Sequence, residues 1–392
     1  MTEIFKFESC TGCGACSAVC PVQAVTLLGA GFRGMRPVID QDICIDCGKC
    51  RSVCPVCEPV IKNISKKAYA AYSVAEDERK SSASGGLASV LAETVISGGG
   101  AVYGCAQLSA GDIRHIRIDK LEDISLLKGS KYVQSDMTDT FGKVRKDLQD
   151  NRHVLFVGTP CQVAGLKNFI GEEDAGLVTV DLCCHGVPPE IFLKEHLASK
   201  GLCPSDCRVI FRRKDRGVVE YGFGVMDMDN SLIGWSASYG DVFMTGFLTG
   251  IFLRENCFSC PYACHDRCGD ITLSDCWAMD SGPEMTHRKG LSAILINTDS
   301  GQNMFEKILK DIVYEKVDVE TIWRSNGQFN RPSGRPEEYG EFIDRCQTEG
   351  YVEACCKYMP RLRRRLFLAK MRAWYYKWPF RQYVRRKLKK TK

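Results

Sequence analysis

The apolar positions of this chain fall into two rhythms. Leu87, Val90, Leu91 and Val95 recur at helical spacing and predict a helix over residues 87–96, opened by Ser81-Ser-Ala-Ser84-Gly85-Gly86 and closed by Gly98-Gly-Gly100. Short uninterrupted apolar runs follow. Residues 101–105, 153–157 and 177–182 read as buried strands, and residues 140–148 and 190–199 as the helices between and after them. This alternation predicts an α/β domain on a largely parallel sheet. Residues 207–252 change rhythm: the alternating, glycine-rich stretch Val218–Val225 predicts a small antiparallel β region. Residues 292–296 read as the last strand, and residues 62–80 as a linker leading into the α/β domain. Nearer the start, residues 24–28 and 35–39 flank a glycine turn and predict a short hairpin.

Composition narrows the class. The chain has 392 residues, 44% hydrophobic and 26% charged, as in a soluble globular protein of two to three domains. No apolar run approaches the ~18 residues of a membrane span. Twenty-three cysteines, an odd number, with no signal peptide ahead of them, point to a reducing cytoplasm rather than a disulfide scaffold. The net charge of +5 hides an asymmetry: residues 361–392 carry fourteen Lys and Arg and no Asp or Glu, so the rest of the chain is mildly acidic. Bases in that tail are interleaved with Phe367, Trp374, Tyr375, Tyr376, Trp378, Phe380 and Tyr383. That mixture suits peripheral contact with the inner face of an anionic membrane. Nothing else in the chain supports nucleic-acid binding.

The cysteines between residues 10 and 54 carry the strongest chemical signal. Cys10, Cys13, Cys16 and Cys20-Pro21 have the spacing C-x2-C-x2-C-x3-C-P, and Cys44, Cys47, Cys50 and Cys54-Pro55 repeat it. Three close thiolates wrap one face of a cubane, and the fourth of each run reaches the other cluster. The spacing therefore assigns Cys10, Cys13, Cys16 and Cys54 to one 4Fe–4S cluster and Cys20, Cys44, Cys47 and Cys50 to a second. Zinc needs only two such pairs and gives no reason for the third cysteine of each run.

Further cysteines sit where an α/β sheet collects ligands, just past the carboxyl ends of strands. Cys161 follows the strand at 153–157, and Cys184 follows the strand at 177–182. Cys105 after a third strand is a weaker candidate. Cys257 and Cys260 form a C-x2-C pair on a loop, and Cys161 and Cys184 are the natural partners to complete it. The alternative is a local zinc site of Cys257, Cys260, Cys264 and Cys268 or His265. The Ser/Gly loop at residues 81–86, opening a helix, is a ready place for a phosphate.

With these segments in view, the chain resembles the beta-subunit family of coenzyme F420 hydrogenases and dehydrogenases, in the form fused to an N-terminal two-cluster ferredoxin domain. The resemblance rests on residues 82–86, Lys128-Gly-Ser-Lys-Tyr132, Val157-Gly-Thr-Pro-Cys-Gln162, Cys184-His-Gly-Val-Pro188, and Cys257 and Cys260 with Asp270-Ile-Thr. The Cys184–Pro188 segment, with Asp275-Cys-Trp277, looks like the bacterial branch. The resemblance implies three regions: a two-cluster ferredoxin-like domain over 1–61, a flavin and iron–sulfur domain over 62–345, and a basic aromatic tail over 346–392. It implies FAD, held with the help of Ser84, Gly85, Gly86, Ser130, Lys131, Tyr132, Gly158 and Thr159. It also implies a third 4Fe–4S cluster on Cys161, Cys184, Cys257 and Cys260, with Cys183, Cys264, Cys268 and Cys276 as alternative ligands. Lys131 or Arg254 beside the flavin would stabilise an anionic reduced ring. The activity implied is a flavin-dependent iron–sulfur oxidoreductase, passing electrons between a two-electron donor, deazaflavin or other, and a redox partner protein or ferredoxin. The alternative is an electron-transfer module serving a partner enzyme, without a substrate site of its own.

Overall fold

A computed structural model describes residues 9–29, 31–171, 175–279 and 282–377. The N-terminal unit is built on the expected hairpin, β1 (Val25–Gly29) and β2 (Met35–Ile39), paired antiparallel with Val25 opposite Ile39. Two one-turn helices, Ala15–Val19 and Lys49–Ser52, each begin within one of the cysteine runs.

The larger unit is one eight-stranded sheet. Its strands are β3 (Lys67–Ser73), β4 (Ala101–Ser109), β5 (Asp112–Ile118), β6 (Val154–Gly158) and β7 (Leu177–Leu182). They are joined by β11 (Ile271–Asp275), β12 (Ser292–Ile296) and β13 (Ile312–Val317) in the order β13-β3-β12-β11-β7-β6-β4-β5. A separate three-stranded antiparallel sheet, β8 (Cys207–Arg213), β9 (Glu220–Asp227) and β10 (Leu232–Ala237), matches the predicted antiparallel region. The helices Leu87–Ser97 and Pro160–Ile170 pack on the large sheet, burying Leu87, Val90, Leu91 and Val95 from one and Val163, Leu166 and Phe169 from the other.

Four sequence expectations change. The sheet is parallel only at its centre, β4-β6-β7-β11, and both flanks pair antiparallel. Residues 62–80 are not a linker: β3 lies between β12 and β13, its Ala68, Ala70 and Ala71 fully buried. The strand at 292–296 is followed by a further one, β13. The tail does not begin at residue 346. Helices Tyr339–Thr348 and Tyr351–Lys377 bury Phe342, Cys346, Tyr351, Cys355, Tyr358 and Leu362 in one apolar cluster with Phe192, Phe243 and Phe252. Residues 378–392, including Trp378, Phe380 and Tyr383, lie outside the described residues. No helix among the described residues is long and apolar enough to cross a membrane.

Candidate redox centre and its cavity

Cys10, Cys13, Cys16 and Cys54 line one small hollow with Thr11, Gly12 and Gly14. Burial pushes the Cys16 thiol up, and so does the nearness of Cys13, Cys10 and Cys54. Cys20 and Cys50 pack with Ile39 against Cys16 and Val25, and Cys50 feels Cys47 and Cys44. Cys47 is exposed, so this second set lies nearer to solvent.

A third set assembles from distant parts of the chain. Cys161 follows β6 in the first turn of the helix Pro160–Ile170, behind a capping box of Thr159 and Gln162. Thr159 Oγ1 stands 3.2 Å from Cys161 Sγ. Cys184 follows β7 and accepts from the Gly186 N–H at 3.4 Å. Burial drives the Cys184 thiol well above its usual range, and neighbouring Cys257, Cys161 and Cys260 add to it. Burial likewise takes Cys260 to about 12, with Cys161 and Cys257 contributing. Burial first, and for Cys184, Cys257 and Cys260 the neighbouring cysteines as well, raises these thiols. Among the described residues no three Cys, His, Asp or Glu converge closely enough for a single metal ion.

The alternative ligands have other partners. Cys183 responds to Arg267, Asp181 and Asp275, and packs against the cluster that holds Cys276. Cys268 donates to the Pro160 carbonyl at 3.1 Å. Cys264 donates to the carbonyls of Pro261 and Asp266. His265 stacks on Trp323 with 4.0 Å between ring centroids and bonds Asn330. The local zinc set is therefore not assembled.

Next to the third set lies a cavity of about 810 Å³ at the carboxyl ends of the central strands. Of the residues expected to hold a flavin, Ser84, Gly86, Ser130, Lys131, Tyr132, Gly158 and Thr159 line it. Gly85 does not: its N–H donates to Ser292 Oγ at 2.9 Å, and a Cβ there would stand 2.5 Å from the Ala71 carbonyl oxygen. Its role is to let the loop pass over β3. Gly86, at φ 88°, begins the helix Leu87–Ser97 with no side-chain cap, and Leu87, Ala88 and Ser89 of its first turn line the cavity. Cys105 also lines the cavity, but from within β4 rather than beyond it.

Two groups on the wall have shifted protonation. Burial pushes Lys131 down to about 8, although its ammonium donates to the carbonyls of Leu127 and Lys128 at 2.8 Å. Burial lowers His115 to about 4. Neutral His115 then donates from Nε2 to the Val157 carbonyl at 3.1 Å and accepts at Nδ1 from Ser135 Oγ, which itself accepts from Gln162 Nε2. The sequence reading missed His115, and it missed Arg212 too. Arg212 donates to Tyr132 Oη and Asp275 Oδ1, each at 2.8 Å, and Tyr132 stacks on Phe247 at 4.4 Å. A lone histidine or arginine in an alternating strand carries no spacing signal.

The dicluster unit forms part of the same wall. Thr11 and Gly12 line the cavity. The helix Pro160–Ile170 meets the unit at Gly165, where a Cβ would stand 2.6 Å from Cys13 Sγ. Arg254 is not a surface residue: it is 3% exposed and donates to the carbonyls of Thr11, Cys10 and Met35.

Two clustered thiol sets, a third set between them and a large cavity, and an α/β sheet behind the cavity define an iron–sulfur electron-transfer protein. Comparison with known families agrees. Residues 9–57 match the 4Fe–4S dicluster domain, and residues 151–321 match the C terminus of the coenzyme F420 hydrogenase/dehydrogenase beta subunit. The chain thus carries a region like the C terminus of that beta subunit, with a 4Fe–4S dicluster domain at its N-terminal side. Among solved structures it is similar to a chain of the F420-reducing [NiFe] hydrogenase complex from Methanosarcina barkeri, studied by xenon derivatization. The two share 15% identity over 65% of this chain and 85% of that one, with a TM-score of 0.45. Comparison with curated proteins gives no match.

Proposed function

We propose that this protein is a flavin-dependent iron–sulfur oxidoreductase. On this reading Cys10, Cys13, Cys16 and Cys54, and Cys20, Cys44, Cys47 and Cys50, hold the two clusters of the dicluster domain. Cys161, Cys184, Cys257 and Cys260 hold a third 4Fe–4S cluster, and the 810 Å³ cavity holds FAD. The observation that carries it is the nearness of those four cysteines, from three separate segments, with Cys161 and Cys184 lining the cavity.

A flavin bound there takes up electrons in pairs and releases them singly, whereas each cubane accepts one at a time. The chain's residues supply placement. The uncapped helix start at Gly86 offers N–H groups to a phosphate, and Lys131 offers a cation whose pKa, about 8, lets it hold or give a proton near neutrality. Tyr132, fixed by Phe247 and Arg212, presents an aromatic wall.

At the opposite end, Ile43 and Ile45 are exposed beside Cys44 and Cys47, which supports docking of a redox partner protein at the outer cluster. Phe367, Leu368 and Met371 are exposed on the last helix and favour peripheral membrane contact there.

The test is anaerobic mixing of the loaded chain, without partner proteins, with a reduced deazaflavin or nicotinamide donor. Bleaching of a flavin band followed by the cluster absorbance is expected. Cluster reduction only when a partner enzyme is added would instead support the electron-transfer module.

A further inference from the structure

Arg254 is a buried cation whose side-chain hydrogen bonds among the described residues all go to backbone carbonyls. Its Nη atoms donate to the carbonyls of Cys10, Thr11 and Met35, and its Nε, together with Gln134 Nε2, is buried without a hydrogen-bond partner. On one side the guanidinium reaches Cys10. On the other, Arg254 lines the cavity together with Cys161 and Cys184, and its own carbonyl accepts from the Cys257 N–H at 3.0 Å. Gly12, at φ 62°, is held against it: a Cβ there would stand 3.1 Å from both Nη atoms. A charge taken out of water to this depth needs a counter-charge. Backbone carbonyls give dipoles only, and the thiol sets on both sides are the available anions.

We propose that Arg254 is the shared counter-ion of two clusters, one on Cys10, Cys13, Cys16 and Cys54 and the other on Cys161, Cys184, Cys257 and Cys260, and raises both reduction potentials together. The proposal rests on the three-cluster reading above. A cubane with four thiolates becomes one charge more negative on reduction, so a fixed cation beside it favours the reduced form. In a transfer between the two, one electron leaves the reduced cluster of the larger unit and enters the oxidised cluster on Cys10. No proton or bond changes hands. The extra negative charge faces the same cation before and after the step, so the step gains or loses little from it, while each cluster alone is easier to reduce. Arg254 is thus a positioning residue between the two thiol sets that keeps two neighbouring potentials matched.

The test is an anaerobic redox titration of the full-length chain followed by electron paramagnetic resonance, in the parent and in Arg254→Gln and Arg254→Lys. In Arg254→Gln the two flanking clusters are expected to become harder to reduce by at least a tenfold change in the reduced-to-oxidised ratio at fixed potential, about 59 mV for one electron. The outer cluster on Cys20, Cys44, Cys47 and Cys50 keeps its midpoint. Arg254→Lys keeps the charge and holds the flanking midpoints within about threefold on the same scale, while its thermal stability falls because an ammonium cannot fork to three carbonyls. Unmoved midpoints in Arg254→Gln, an equal shift of all three clusters, or a Lys variant that shifts as far as Gln would overturn the proposal. If Arg254→Gln fails to assemble, the Lys variant decides by the same criterion. A parent chain with only about eight irons defeats the three-cluster reading itself, a result distinct from twelve irons and midpoints that do not move.

Discussion

Individual cysteines carry the assignment, and neighbouring cysteines test it. Cys183 and Cys184 are adjacent, yet only Cys184 joins Cys161, Cys257 and Cys260. Cys184→Ser is therefore expected to lower the anaerobic iron content by about four per chain, and Cys183→Ser to leave it unchanged. Lys131 gives a prediction in pH. Burial holds its pKa near 8, so the ammonium is present below that value and lost above it. An anionic phosphate or ring at Lys131 favours the protonated form. FAD affinity should thus be greatest below about pH 8 and fall as the pH rises through that region. Lys131→Met should remove the pH dependence and weaken binding roughly tenfold at neutral pH, the size of a lost charge-assisted hydrogen bond. Fluorescence titration of FAD across that pH range checks both. The cysteines were legible because iron–sulfur ligation fixes their spacing. Arg254 and Arg212 were not, since a single buried arginine is defined by partners far along the chain.

At the scale of elements, one loop has to be clamped for the third set to form. Residues 254–268 bring Cys257 and Cys260 to the ends of β6 and β7, and Arg267 holds the loop there. It donates to Asp181 Oδ1 at 2.8 Å and to the carbonyls of Tyr262 and Leu182, with both ion-pair side chains almost fully buried. Arg267→Ala leaves Asp181 buried and uncompensated. It should destabilise the larger unit by about 3–5 kcal/mol, measured by thermal unfolding, and release the third set's iron before that of the dicluster domain. The central strands were readable as apolar runs, since parallel strands covered on both faces have that composition. The flanks were not. β3 is mostly alanine and tyrosine, buried for lack of bulk rather than through strong apolar character, and β5 mixes Arg114, His115 and Arg117 with its isoleucines. The length of the tail was misjudged for a related reason. Cys346, Cys355 and Tyr358 reach the core from helices whose outer faces are rich in charge.

Across the whole molecule the three thiol sets and the cavity form a series, ordered from solvent inwards. The outer set includes exposed Cys47. The next is buried and stands against Gly165 and Arg254, and the third opens on the cavity. The sequence motifs carried no sign of the docking, because Thr11 and Gly12 become cavity wall only when the two units pack together. Such a series fits single electrons entering or leaving at the exposed end and paired electrons at the cavity. The measurement that bears on it most directly is anaerobic analysis of iron, sulfide and extracted flavin in the full-length chain. About twelve irons, as many sulfides and one FAD per chain are expected from three cubanes beside an occupied cavity. About eight irons with one zinc and no flavin would contradict it.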